Sequence, residues 1–369
     1  MLPTKAGGSG FSVQLQDEAA MHRFMRDIAL ALQPGDMVTL SGDLGAGKTT
    51  FARALIHYLA GDPAIEVPSP TFTLMQTYEL ENFPIVHADL YRVVRSSELV
   101  ELGFDDLPKD ALVLLEWPDR AKGFLPADRL DIAFTMSPKR GETFRNVRVT
   151  GHGSFAARIE RMTAIRSFLD ESGFSEAERR HLQGDASTRS YERLVLDDQG
   201  YILMNSPRRP DGPPLRDGKP YSTIAHLAED VRPFIALAKG LRAAGLSAPA
   251  IHFADNEKGL LIIEDLGEEK VVEGNPPTPI AERYETAVDL LATLHQKPLA
   301  SVLPVSPRVE HRLPRYDAEA FLIEAELIVD WYLPRMKVAI SPGARTDFVT
   351  LWRDALQPVL ESPTTWVLY

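Results

Sequence analysis

The chain has 369 residues, which suggests two or three domains, and its 44% apolar and 25% charged residues are ordinary for a globular protein. It contains no cysteine, which excludes disulfides, thiolate catalysis and thiolate zinc sites and fits a reducing cytoplasm. The net charge of −12 leaves no basic excess with which a free-standing nucleic-acid binder displaces counterions. No apolar run reaches the ~18 residues that a membrane helix needs, so we expect no membrane association.

The first 150 residues alternate helices and strands, as in an α/β domain. In chain order, the pattern predicts a helix at 17–32, a strand at 37–41, a helix at 49–59, strands at 71–80, 84–88 and 111–115, and a hairpin with strands at 130–135 and 144–150. The strand at 111–115 is apolar throughout, which favours a central position in the sheet. Residues 151–154 (GHGS) are predicted to be a linker, with Ser154 capping the next helix.

The remaining residues predict a small sheet lobe followed by a helical lobe, which is the order of a kinase-like fold. In chain order, the pattern predicts a helix at 155–171, hairpin strands at 191–196 and 201–205, a proline-rich loop at 206–220, a helix at 229–244, strands at 250–254 and 260–264, loops at 275–279 and 298–307, and helices at 280–296, 317–333 and 346–360. We therefore predict three parts: a domain at 1–152, a linker helix at 153–174 and a second domain at 175–369.

A glycine-rich segment, GDLGAGKT at residues 42–49, fits the phosphate-loop pattern G-x-x-x-x-G-K-[ST]. An apolar strand enters it and a helix leaves it, which is the context that the pattern requires. Glycines let backbone N–H groups turn toward a polyphosphate, and the helix N-terminus adds positive potential. Lys48 is expected to reach the β- and γ-phosphates, and the Thr49 hydroxyl to ligate Mg²⁺.

A phosphate loop also needs a carboxylate for the metal or its water. Glu116 follows an apolar strand and Asp89 ends another, and ligands of open α/β sheets bind at such strand ends. Both stay candidates from the residues alone, with the strand position favouring Glu116. Thr71, in the segment Ser69-Pro-Thr71, could belong to a switch loop that senses the γ-phosphate. His87 is interpreted as a packed or hydrogen-bonded histidine.

Five segments in this order, GDLGAGKTT, SPTFTL, HADLYR, ELVELGF and LLEWPDR, closely resemble the TsaE family of P-loop ATPases over about residues 10–150. The resemblance implies an α/β P-loop NTPase domain with a central sheet, ATP and Mg²⁺ as cofactors, and metal binding by Thr49 and Glu116. It also implies catalytic roles for Lys48, Thr71, Asp89 and Glu116. The nucleotide-binding residues that it implies are Glu18, Asp43, Leu44, Gly45, Ala46, Gly47, Lys48, Thr49, Thr50 and Asp119.

Further segments, GDASTRSY, ILMNSP, PFIALAKGLRAAGLSAPAI, LIIEDLG and ELIVDWYLPR, resemble the aminoglycoside-phosphotransferase-like kinases over about 175–369. The similar branch phosphorylates the anomeric position of N-acetylmuramate and N-acetylglucosamine, which makes an amino sugar a possible substrate. Met204 stands where such kinases usually hold a lysine. The chain stops at Tyr369 before the expected catalytic loop, so we expect a truncated α+β kinase-like domain that is inactive as given.

The resemblance to TsaE implies an Mg²⁺-dependent ATPase required for threonylcarbamoyladenosine modification at position 37 of tRNAs that read codons beginning with A. It implies cytoplasmic action on the TsaD–TsaB transferase complex, with tRNA contacted only indirectly. Two alternatives remain open. One is an amino-sugar kinase of cell-wall recycling, carried by the C-terminal part of a longer protein, and the other is a nucleotide-sensing adaptor.

Overall fold

The computed structural model describes residues 10–95, 98–182, 189–208, 210–362 and 366. The chain divides into two compact units, Met1–Arg180 and His181–Tyr369. Residues 184–188 of the GDASTRSY motif, and Tyr369, lie outside the described residues. Within the described part, every helix is too short or too polar to cross a bilayer.

The first unit alternates strands and helices as the sequence predicts. Its elements are β1 (Gly10–Leu15), α1 (Glu18–Ala31), β2 (Met37–Ser41), α2 (Lys48–Ala60), β3 (Met75–Tyr78), β4 (Ile85–Asp89), α3 (Glu98–Glu101), β5 (Leu112–Glu116), β6 (Arg129–Met136), β7 (Arg145–His152) and α4 (Phe155–Glu171). Asp17 caps α1, because its carboxylate accepts a hydrogen bond from the Ala20 N–H at 2.8 Å. Gly61 ends α2 in a left-handed conformation.

Seven strands form one sheet in the order β1-β7-β6-β2-β5-β4-β3. The pairs β6–β2, β2–β5 and β5–β4 are parallel, and the outer pairs are antiparallel. Asp89 and Glu116 are register partners at the last residues of β4 and β5. The two carboxylates therefore lie at the same carboxyl edge of the sheet, next to the loop that leaves β2.

Both faces of this sheet are covered. In β5, Leu112 and Leu114 belong to the cluster that includes residues of α1, α2 and α4, whereas Val113 and Leu115 belong to a second cluster with Leu99 of α3. Successive side chains of a strand point to opposite faces, so the two clusters are the two sides of a layered α/β fold. This confirms the predicted fold class for the first unit.

Three local predictions in the first unit differ from the structure. The strand predicted at 71–80 is confined to β3, because a turn closed by the Leu74 N–H and the Pro70 carbonyl precedes it. Ser154 is not an N-cap through its side chain; its N–H instead donates to the Asp128 carboxylate at 2.8 Å. The predicted linker GHGS is partly strand, since β7 extends to His152.

The helix α4 packs on the first unit through its core and through ion pairs. Phe155, Ile159 and Met162 of α4 join the cluster of α1 and α2. Arg166 donates to the buried Asp27 carboxylate at 2.6 and 2.8 Å, and Arg179 also donates to this carboxylate. The first compact unit therefore includes α4, while the domain boundaries expected at residues 152 and 174 stay predictions.

The second unit is built on a five-stranded sheet in the order β11-β12-β10-β9-β8. Its elements are β8 (Glu178–Leu182), in which the unit boundary falls, β9 (Ser190–Leu196), β10 (Gln199–Asn205), α5 (Tyr221–Ile224), α6 (Arg232–Ala243), β11 (Ile251–Asp255), β12 (Leu260–Glu264), β13 (Val272–Glu273), β14 (Thr278–Pro279), α7 (Ala281–His295), β15 (Val302–Ser306), β16 (Val309–Arg312), α8 (Ala318–Leu327), α9 (Leu333–Arg335) and α10 (Pro342–Glu361). This agrees with the predicted α+β lobe order.

Met204 of β10 is fully buried in the core that this sheet forms with α6 and the β15–β16 hairpin. Residues 298–307 were expected to be a loop, yet half of them form β15, which pairs with β16. The helix predicted at 317–333 is interrupted, because a π turn at Ile328–Tyr332 separates α8 from α9.

Candidate nucleotide site

The loop between β2 and α2 has the backbone conformation that its glycines permit. Gly42 and Gly47 have φ angles of +134° and +106°, which side-chain-bearing residues rarely adopt. A Cβ at Gly42 would also lie 2.4 Å from the Phe134 carbonyl oxygen of β6. The loop therefore needs glycine at these positions to pass close to β6 and enter α2.

Lys48, the first residue of α2, is buried and its ammonium is held by the loop itself. Nζ donates to the carbonyl oxygens of Gly42 at 2.9 Å and Asp43 at 3.0 Å, and it lies 4.1 Å from the centre of the Trp117 ring. Burial lowers the pKa of Lys48 from its usual value, while the nearby carboxylates of Glu116, Asp89 and Asp43 oppose this shift. The ammonium is placed where an anion bound in the loop would attract it.

The Glu116 carboxylate joins the helix N-terminus to the strand edge. Thr49 Oγ1 donates to Glu116 Oε2 at 3.0 Å, and His87 Nε2 lies 3.0 Å from Glu116 Oε1. Glu116 and His87 are both buried, and they stand on the neighbouring parallel strands β5 and β4. The carboxylate is thus fixed beside the hydroxyl, which fits the sequence interpretation of His87 as a hydrogen-bonded residue.

The Asp89 carboxylate holds the loop that precedes β3. Its Oδ2 accepts hydrogen bonds from Thr71 Oγ1 at 2.8 Å and Ser69 Oγ at 3.1 Å, and its Oδ1 accepts one from the Tyr91 N–H at 3.0 Å. Asp89 is 4% exposed. The two acids therefore have different partners: Glu116 contacts the P-loop threonine, whereas Asp89 contacts the Ser-Pro-Thr segment.

One cavity of about 230 Å³ brings these groups together. Its lining residues are Leu44, Gly45, Gly47, Lys48, Thr49, Thr50, Ser69, Thr71, Asp89, Tyr91, Glu116 and Trp117. All four side chains predicted to be catalytic are among them. Asp43 and Ala46 belong to the same loop without lining the cavity. Glu18 and Asp119 are exposed and do not line it either.

The sequence interpretation missed two contacts of this site. Trp117 is not among the site residues predicted from the sequence, yet its ring lines the cavity and faces Lys48. Arg145 was not considered, although its guanidinium donates to the Ala46 carbonyl at 2.8 Å. Trp117 lies directly after Glu116, so proximity to the strand end could have suggested it. Nothing local marks Arg145, which is far from the loop in sequence.

The donor set suits a magnesium ion shared with a phosphate. A threonine hydroxyl and a carboxylate supply hard oxygen ligands, and Mg²⁺ usually takes only one or two protein ligands besides phosphate and water. The described residues contain no group of three or more His, Cys, Asp or Glu side chains that could hold a metal by themselves. The residues Thr49 and Glu116 therefore fit a metal that arrives with a nucleotide.

The first unit has the features that define the P-loop class of phosphate-binding domains. They are a parallel strand, a glycine-rich turn, a helix N-terminus with Lys-Thr and two strand-end acids. The family model "Threonylcarbamoyl adenosine biosynthesis protein TsaE" matches residues 15–144. The model of the phosphotransferase enzyme family matches residues 178–368. The chain therefore belongs to the TsaE family in its first part and to the phosphotransferase enzyme family in its second.

Individual relatives follow the same division. A tRNA threonylcarbamoyladenosine biosynthesis protein TsaE from Rickettsia conorii is 41% identical over 118 residues, which cover 32% of this chain and 67% of that protein. The TsaE protein of Bacillus subtilis is 38% identical over 123 residues, 33% of this chain and 73% of that one. Among solved structures, YdiB of the same species is 25% identical to this chain, with a TM-score of 0.34. The match covers 43% of this chain and 96% of the YdiB chain.

The second part has a relative of another kind. An N-acetylmuramate/N-acetylglucosamine kinase from Caulobacter vibrioides is 35% identical over 206 residues, which cover 52% of this chain. The chain spans 56% of the length of that kinase. Together with the family matches, this confirms the expected combination of a TsaE-like and a phosphotransferase-like part.

Proposed function

We propose that the first part of the chain is an Mg²⁺-dependent ATPase required for threonylcarbamoyladenosine modification at position 37 of tRNAs that read codons beginning with A. It would act in the cytoplasm on the TsaD–TsaB transferase complex and reach tRNA only through that complex. The observation that carries the proposal is the contact of Thr49 with Glu116 beside Lys48, at the edge of the sheet where the P-loop leaves β2. The names of the TsaE relatives support the pathway.

The residues around the cavity have separate tasks in this proposal. The loop N–H groups and the N-terminus of α2 would bind the phosphates, and Lys48 would exchange its loop carbonyls for phosphate oxygens. Thr49 and Glu116 would hold Mg²⁺, which, when bound, neutralises charge on the β- and γ-phosphates. Asp89, held by Thr71, would orient the attacking water and accept its proton.

The test is ATP binding and turnover by the whole chain, with and without the TsaD–TsaB pair. We expect Lys48→Ala to abolish nucleotide binding, and Glu116→Ala to lower Mg²⁺-dependent turnover about 100-fold or more while ATP binding without metal persists. Glu160→Ala, an exposed position on α4, is the control and should change neither. Full ATP affinity in the Lys48 variant would refute the proposal, and an unchanged rate in the Glu116 variant would remove Glu116 from the metal site.

The same assay separates an ATPase from a nucleotide-sensing adaptor. An ATPase releases phosphate at a rate that depends on Glu116, either alone or with the transferase pair. An adaptor would bind ATP through Lys48 and release no phosphate even in the presence of both partners. We expect the first result because Asp89 is a second buried acid beside Glu116, and a nucleotide that is only bound needs no base for an attacking water.

A second function, transfer of phosphate from ATP to an amino sugar, is proposed for a complete phosphotransferase domain that contains the second part. The phosphotransferase family match and the Caulobacter kinase support it. The 369 residues contain no H-x-D-x-x-x-x-N segment, so we expect this chain alone to phosphorylate no sugar.

Isotope labelling tells the two activities apart. With γ-labelled ATP and N-acetylglucosamine, the P-loop activity releases inorganic phosphate and is lost in Lys48→Ala, whereas kinase activity puts the label on the sugar and is unaffected by that substitution. Label on the sugar from residues 1–369 would contradict the expected inactivity of this chain.

A further inference from the structure

The guanidinium of Arg145, at the start of β7, contacts the backbone of the P-loop from outside the cavity. Its Nε donates to the Ala46 carbonyl at 2.8 Å, and one terminal nitrogen lies 3.4 Å from the Gly45 carbonyl. Its other terminal nitrogen donates to the carbonyls of Glu142 and Phe144 in its own hairpin. The guanidinium is therefore held by β6–β7 on one side and holds the loop on the other.

This contact fixes a peptide that could otherwise turn. The C=O and N–H of one trans peptide point in opposite directions, so an Ala46 carbonyl held by Arg145 directs the Gly47 N–H away from Arg145. Gly47 lines the cavity, whereas Arg145 does not. Because Gly47 has φ of +106° and no side chain, its own conformational preference sets this orientation only weakly.

The opposite end of the loop is held differently. Lys48 donates to the carbonyls of Gly42 and Asp43, so those two peptides are oriented by a side chain that must move when a phosphate binds. Arg145 has no such second task, since its four acceptors are all backbone carbonyls and, of the residues that supply them, Gly45 alone lines the cavity. The loop end nearest α2 is thus braced whether or not a ligand is present.

We propose that Arg145 is a positioning residue of the phosphate site, which sets the Ala46–Gly47 peptide so that its N–H faces the bound polyphosphate. This rests on the proposed nucleotide binding by the first unit and adds a residue outside the P-loop motif to it. The effect acts through the peptide and not through direct contact of Arg145 with phosphate. Loss of the brace should therefore weaken every ligand that uses the loop N–H groups, whatever its base or sugar.

The experiment measures the affinity of the full chain for two probes, ATP and inorganic tripolyphosphate, without metal. We expect Arg145→Ala to weaken both by about 10- to 100-fold, the range expected for a lost hydrogen bond with a charged donor. Arg148→Ala, an exposed arginine on the same strand, is the matched control and should stay within about twofold of wild type. Thermal unfolding without ligand shows whether each variant is folded.

Two further variants and a salt series separate bracing from simple charge. Arg145→Lys keeps the charge but not the planar fork, so it should recover the affinity only in part. Arg145→Gln keeps a side-chain N–H donor without charge, so it should also recover part of the affinity. It replaces Arg145→Ala in the assay if the alanine variant is poorly folded. In 0.5 M KCl, a value at which the Debye length is only about 4 Å, the ratio between wild type and Arg145→Ala should persist.

Three results would overturn the inference. They are affinity for both probes within about twofold of wild type in Arg145→Ala, full recovery by Arg145→Lys, and disappearance of the difference in high salt. Failure of the proposed function itself gives a different result, because Lys48→Ala would then bind ATP normally whatever Arg145 does.

Discussion

The two units treat corresponding polar positions in opposite ways. In the first unit, the lysine that follows the glycine-rich loop is buried, and its ammonium has two carbonyl acceptors and an aromatic ring. In the second unit, the strand position where related kinases usually hold a lysine is Met204, which is packed in an apolar core. A buried charge is retained only where partners or a ligand offset its desolvation. The comparison shows a buried ammonium with polar and aromatic partners in the first unit and an apolar side chain without any such group at Met204 in the second.

The second unit buries charge elsewhere, and there the charge is neutralised by protein groups. Glu326 of α8 is 4% exposed and is paired with Arg216 and Arg345. Glu116 and Asp89 of the first unit have hydroxyls and a histidine as side-chain partners instead, and they line a cavity. A carboxylate paired with two arginines has its charge balanced by the protein, whereas carboxylates bonded to hydroxyls and a histidine beside a cavity remain able to bind a cation.

The sharpest way to break this comparison is to give the second unit the lysine that it lacks. Met204→Lys should lower the free energy of unfolding of the second unit by about 4 kcal/mol, because α6 carries no acidic residue that could pair with the new ammonium. Met204→Leu, which conserves volume, should cost less than about 1.5 kcal/mol. Chemical denaturation of both variants measures the difference. Equal stability of the two variants would show that the core holds a partner for the charge.

Asp27 gives the corresponding test of a buried charge with a structural task in the first unit. Asp27→Asn should cost about 3 kcal/mol, because Arg166 and the buried Arg179 would lose their shared counter-ion. Glu176→Gln, which breaks the exposed pair with Arg23, is the control and should cost less than about 1 kcal/mol. If denaturation gave the same small effect for both, the ion pairs of α4 would not contribute to the stability of the first unit.

The parts of the site that lie close together in sequence could be predicted, and those joined only by the fold could not. The pattern at 42–49 predicts the loop because its glycines permit the turns of the backbone and its Lys-Thr pair begins the helix that follows. Asp89 and Glu116 could be recognised as strand-end acids, but only the strand order, in which β5 and not β4 lies next to β2, explains why Glu116 contacts Thr49. Arg145 reaches Ala46 across 99 positions of sequence, so no spacing rule could have found it.

Secondary structure was missed where local preference and tertiary packing disagree. Residues 302–306 contain a proline that favours a loop, yet they form β15, whose Leu303 and Val305 are buried against α6. The periodic apolar pattern at 317–333 predicts one helix and gives no sign of the π turn at Ile328–Tyr332. Buried contacts outweigh propensity at the first segment, and an extra residue in one helical turn is invisible to periodicity at the second.

The smallest predicted effect concerns pH and is confined to the second unit. Burial lowers the pKa of His311 in β16 below its usual 6.5, with Asp230 opposing this shift and Arg232 adding to it. Between the lowered value and 6.5 the unfolded chain binds more protons than the folded one, so stability rises with pH there. The contribution of His311 to the stability of the second unit is fully present above pH 6.5 and is lost as the pH falls from 6.5 through the lowered pKa. His311→Gln should flatten the pH dependence of the free energy of unfolding of the second unit, whereas His22→Gln in the first unit should leave it unchanged. Both are measured on the denaturation transition that Met204→Lys shifts. A slope that survives in His311→Gln would assign the pH dependence to other groups.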